Sequence, residues 1–79
     1  MSSAFVLLNC DLGTENAIIS TISGMSGVSE AAGLSGVYDI IAKLNAESEK
    51  GISKIVTKIR SIANIRSSLT MIIAEAQKD

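Results

Sequence analysis

Side chains that could transfer a proton, attack a carbonyl or ligate a metal are scarce in this chain. It carries one cysteine, Cys10, and no histidine, which removes both an imidazole base working near neutral pH and a zinc site of the Cys/His kind. No serine has a recognisable base beside it in sequence, and no basic cluster adjoins Cys10 to favour a thiolate, so Cys10 reads as a small, structurally neutral residue. A glycine-rich dinucleotide loop, a Walker-type loop and a C-x-x-C pair are all missing. The informative polar groups are Tyr38 and Asp39, delivered by the glycine-containing stretch Gly33-Leu34-Ser35-Gly36-Val37. The expectation is a binding module with no catalytic residue, no metal and no cofactor.

The elements that must position these groups follow from apolar periodicity. Residues 4–8, Ala-Phe-Val-Leu-Leu, form a short apolar run ending in the turn-like Asn9-Cys10-Asp11-Leu12-Gly13, which predicts a buried strand. Thr14 is placed to cap a first helix with Glu15 at its positive end, and Ile18, Ile22 and Met25 repeat at helical spacing up to a stop at Gly24. Val28 to Leu34 reads as a weaker strand suited to a sheet edge. Gly33 and Gly36 bracket Leu34-Ser35 as a tight connection into a strand over 37–46, in which Tyr38, Ile40, Ala42 and Leu44 share one side. A second helix, capped by Ser48, carries Ile52, Ile55, Val56, Ile59 and Ile62 as one stripe, with Lys54, Lys58 and Arg60 facing outward. The last strand runs from about residue 66 to 76, and the tail 77–79 is expected to fray.

Strand, helix, strand, strand, helix, strand is the α+β, ferredoxin-like order: a four-stranded antiparallel sheet, first and third strands central, with both helices on one face. The opposite face would then expose Phe5/Leu7 or Val6/Leu8 together with Ile40 or Ile41 and Ile72 or Ile73. At ~1.5–3 kcal/mol per buried side chain, leaving such a face in water is costly, which predicts packing against a second copy. Composition agrees. In 79 residues, 47% are apolar and only 3% aromatic, one domain of this size buries a limited core, and a lone cysteine cannot staple it. A net charge of −1 with interspersed signs argues against direct nucleic-acid binding. No apolar run reaches the length of a membrane span and no signal-peptide pattern opens the chain, so a cytoplasmic protein is the default.

The stretch Gly33 to Lys43, with Met25-Ser26-Gly27-Val28 upstream and Arg66 to Ile73 downstream, resembles the effector-binding (RAM) domain of the leucine-responsive/asparagine-regulator, or Lrp/AsnC, transcription factors over roughly residues 4–76. The best-matched motif is the Gly-x-Tyr-Asp of residues 36–39. The resemblance implies sheet-packed dimers assembling into octamer or decamer rings, and an amino-acid effector held where dimers meet. Carried over by position, Gly36, Val37, Tyr38 and Asp39 correspond to the loop that approaches the effector. Ser68, Thr70 and Met71 correspond to the facing part of the last strand. Val37 stands where the family often has a polar residue. The family's helix-turn-helix domain has no counterpart before the first strand, so the chain resembles a stand-alone module, without operator binding of its own, that modulates transcription by joining full-length regulators.

Plainer readings stand beside these. Asp39 could simply brace the hairpin or pair with Arg66, Tyr38 could be a packed ring, and Ser68 and Thr70 are ordinary strand residues. Asp11-Leu12-Gly13 resembles the turn of an ACT-type amino-acid-sensing domain, although the usual proline is missing. A small dimeric α+β barrel enzyme shares the element order; an enclosed pocket between sheet and helices would distinguish it.

Overall fold

A computed structural model describes residues 1–73 and has the expected order: β1 (Ser2–Cys10), α1 (Glu15–Ser23), β2 (Val28–Gly33), β3 (Ile40–Ala46), α2 (Glu49–Arg60) and β4 (Ile65–Ile73). The strands form one antiparallel sheet in the order β2-β3-β1-β4, with the first and third strands central. This is the ferredoxin-like α+β fold. The part of the last strand expected over 74–76, and the tail, lie outside the described residues.

Strand alternation sorts the sheet into two faces. Across the helix-covered face run the rows Gly33–Ile40–Leu8–Ser68, Ala31–Ala42–Val6–Thr70 and Val28–Leu44–Ala4–Ile72. Ile18 and Ile22 of α1 and Ile52 and Ile59 of α2 close over them, so that Val6, Leu8, Ile40 and Leu44 are fully buried. Ile55, Val56 and Ile62 pack half-buried against the same core, although α2 already ends at Arg60. Ser48 caps α2 as expected, its hydroxyl accepting from the Gly51 N–H at 3.3 Å. Thr14 occupies the cap position of α1 but does not cap it; its hydroxyl donates instead to the Asp11 carbonyl at 2.6 Å. The Gly27 turn into β2 has φ +91°, and a Cβ there would run into the Ile55 side chain and the Asn45 carbonyl.

Two boundaries depart from the sequence reading. β1 is longer than 4–8, because Asn9 and Cys10 continue the pairing through a bulge opposite β4, and Cys10 ends the strand as a buried residue. β3 starts at Ile40, not Val37, so Leu34 to Asp39 form a six-residue loop in place of a tight connection. Among the described residues no helix is long and apolar enough to cross a membrane.

Candidate functional site

The loop 34–39 is held by contacts to the end of β1. Its base is closed by Leu34 N–H donating to the Asp39 carbonyl at 2.8 Å, and Asp39 N–H donates to the Leu8 carbonyl at 2.8 Å. The Asp39 carboxylate accepts at Oδ2 from the Cys10 N–H at 3.0 Å and, more weakly, from Asn9 Nδ2 at 3.5 Å. Asn9 Nδ2 also donates to the Val37 carbonyl at 2.7 Å, and Asn9 Oδ1 accepts from the Ser67 hydroxyl at 2.8 Å. Asn9 thus ties the loop on one side of β1 to β4 on the other. Asp39 does brace the hairpin, but its partner is the β1 backbone. Arg66 pairs with Asp11 instead, Nη1 to Oδ1 at 3.2 Å. Among the described residues Asp39 Oδ1 takes part in no hydrogen bond, which leaves one carboxylate oxygen available to a ligand cation.

The seven residues anticipated as a site are placed in three groups. Gly36 and Val37 are exposed at the loop tip, with Tyr38 and Asp39 half-buried behind them. Ser68 and Thr70 are half-buried on the helix-covered side of β4. Met71 points the opposite way, onto the bare face. Ser68 shares its row with Ile40, two strands away and about 10 Å across the sheet. One protomer therefore does not gather the seven around a single point. Sequence reasoning missed Asn9, read as a turn residue, and Arg60, read only as an outward charge.

Arg60 lies in two adjoining depressions between α2 and the outer edge of β4. One, of about 360 Å³, is bounded by Arg60, Ile65, Arg66, Ser67 and Ser68. The other, of about 390 Å³, is bounded by Arg60 with Val56, Thr57, Thr70 and Ile72. Between sheet and helices, by contrast, the space is filled by the aliphatic core. No group of three or more Cys, Asp or Glu side chains among the described residues is placed to hold a metal ion.

The bare face has a mostly apolar middle, interrupted by Lys43, and polar ends. Ile41, Leu7 and Leu69 form one row, Lys43, Phe5 and Met71 the next, and Ile73 flanks them. Leu69, Met71 and Ile73 each leave more than two-fifths of their surface in solvent. At one end lie Asn9 and Ser67; at the other Ser3 donates to Asn45 Oδ1 at 2.9 Å and Asn45 Nδ2 donates to Ser29 at 2.9 Å.

Known proteins with this arrangement agree on its kinship. The solved structure of FFRP-DM1 superposes with a TM-score of 0.89 at 32% identity, covering 94% of this chain and 100% of that one. A hypothetical protein of Pyrococcus horikoshii, PHS023, gives a TM-score of 0.89 at 31% identity over 96% of this chain and 93% of its own. The homocitrate synthase of Saccharolobus islandicus is 30% identical over 71 residues, 89% of this chain, yet the chain spans only 15% of that enzyme's length. Residues 3–79 match the profile of the Lrp/AsnC ligand binding domain. The chain belongs to the Lrp/AsnC ligand binding domain family.

Proposed function

We propose that this chain is a non-enzymatic effector-binding and oligomerisation module: it pairs through the bare sheet face, assembles further into octamer or decamer rings, and holds a small amino acid between subunits. The observation that carries the reading is the exposed face with its apolar centre and hydrogen-bonded polar ends. That is the anatomy of a protein interface, with an apolar core inside a polar rim. A site shared between subunits also accounts for the separation of the loop residues Gly36 to Asp39 from Ser68, Thr70 and Met71: neighbouring copies supply different parts. Asp39 Oδ1 would then meet the effector's ammonium, with the loop N–H groups and the β4 hydroxyls facing its carboxylate. The filled space between sheet and helices supports binding without catalysis, as does the absence of histidine from the sequence. In a cytoplasmic setting such a module acts on transcription of amino-acid metabolism indirectly, by joining full-length Lrp/AsnC regulators, with no direct nucleic-acid or membrane contact.

A second reading is favoured by the match to homocitrate synthases: the same module would modulate a synthase of that kind in place of a regulator. Both place effector binding and assembly in this chain. Sedimentation velocity at micromolar concentration, with and without a panel of amino acids, tests the shared claim. A species larger than one chain whose size distribution responds to at least one amino acid is expected, because a ligand that contacts two dimers favours the state containing both. A lone chain indifferent to every amino acid overturns it.

A further inference from the structure

Among the described strand residues the bare face carries two charged side chains, and they are neighbours. Glu30 on β2 lies directly opposite Lys43 on β3, and their row continues across the face through Phe5 and Met71. Glu30 is also the one acid on any described strand. Despite their register the two do not pair within the protomer: no acid lies within 4.0 Å of the Lys43 ammonium among the described residues. Between them is a hollow of about 160 Å³, bounded also by Phe5, Ala32 and Ile41. Asn45, the next residue of β3 on this face, is already engaged by Ser3 and Ser29. Lys43 is thus a half-buried cation in a mostly apolar surface, without a counter-charge of its own.

Covering this face takes Lys43 further out of water, and an ammonium desolvated without a counter-charge is costly. The bare face of a second copy brings an acid, Glu30, and in a two-fold interface a contact from Lys43 to the partner's Glu30 is repeated in reverse. We infer that Lys43 and Glu30 are the partner-selecting charges of this face: each Lys43 pairs with Glu30 of the partner subunit, and the two hollows close over the paired charges. The occupant is a second copy of this chain. A face with a base at position 30 or an acid at position 43 meets like charge and is excluded. This rests on pairing through the bare face, proposed above, and adds what decides between partners. The apolar rows supply affinity without that choice.

Charge reversal in the full chain is the test. Neither residue belongs to the buried core, so the reversals leave the fold intact. Lys43→Glu and Glu30→Lys should each weaken self-association in sedimentation equilibrium by at least ~100-fold, because two like-charge contacts replace two opposite ones. The doubly reversed chain, Lys43→Glu with Glu30→Lys, should regain most of that loss. Mixed with ¹⁵N-labelled natural chain and followed by native mass spectrometry, it should sort into its own dimers, because both cross-contacts of a mixed dimer join like charges. The two single variants, mixed together, should prefer each other to themselves. Random mixing of the natural and doubly reversed chains would show that the pair closes within one protomer and would refute the inference. Single variants that associate within about twofold of the natural chain would refute it too. A natural chain that stays single at micromolar concentration overturns the bare-face reading and this inference with it, whereas dimers indifferent to the reversals overturn this inference alone.

Discussion

Leu69 is the most direct lever on the bare sheet face. It sits in the row with Leu7 and Ile41 at the centre of that face and leaves 43% of its surface in solvent within one protomer. Fully burying a leucine contributes about 1.5–3 kcal/mol, so burying the exposed fraction contributes roughly 0.6–1.3 kcal/mol per protomer. A symmetric interface counts the residue twice, giving about 1.3–2.6 kcal/mol, or a roughly 10- to 80-fold weaker dimer for Leu69→Ala. The part of Leu69 already buried inside the protomer is lost equally from monomer and dimer and cancels from this constant. Sedimentation equilibrium over a concentration series measures it. Leu69→Glu should weaken association further, because a carboxylate from each protomer would be desolvated in the interface. A dissociation constant unchanged by Leu69→Ala within twofold would refute the assignment of this face.

Three further predictions concern the fold and the loop. Asp39→Ala leaves the Cys10 N–H without its acceptor; a cost of about 1–3 kcal/mol corresponds to a Tm lowered by roughly 4 °C or more, while Asp39→Asn, which keeps an acceptor, should lose less. Differential scanning calorimetry of the pair decides this, and equal melting points for Asp39→Ala and the natural chain would contradict it. Gly27→Ala should lower the unfolding free energy measured in urea by more than about 1 kcal/mol, since φ is +91° and the new methyl meets Ile55 and the Asn45 carbonyl. A neutral or stabilising change there would show that the turn relaxes freely. Ile59→Ala, which opens a cavity at a fully buried position, should remove about 2–5 kcal/mol, a large share of the roughly 4–12 kcal/mol expected for a chain this long; urea denaturation with an unchanged slope is the check.

What the sequence discloses and what it conceals follow from the range of the interactions. The isoleucine stripe of α2 is visible because helical spacing repeats within one element, and Ile52 and Ile59 are indeed buried. The bare face is legible for the same local reason: Phe5/Leu7 or Val6/Leu8 had to be left uncovered, and the structure selects Phe5 and Leu7, with Ile41 and Ile73. The loop is where local rules fail. Gly33 and Gly36 look like a tight connection, but the chain continues to Asp39 because Asp39 N–H reaches Leu8 and its carboxylate reaches Cys10, partners about thirty residues away. Asn9 was hidden for a related reason. An asparagine after an apolar run has the composition of a turn, and only the pairing of β1 with both neighbours turns it into the link between Val37 and Ser67. Thr14 and Arg60 repeat the lesson: position on the helix was legible, while the hydroxyl's preference for Asp11 and the depressions beside β4 arise from chain segments the helix pattern does not contain.

Self-association of the natural chain is the central claim, and its mass in solution tests it most directly. Native mass spectrometry or light scattering across a micromolar dilution series should give twice the 8.2 kDa of a single chain, or a larger even multiple of it. A single 8.2 kDa species throughout that series would contradict the account.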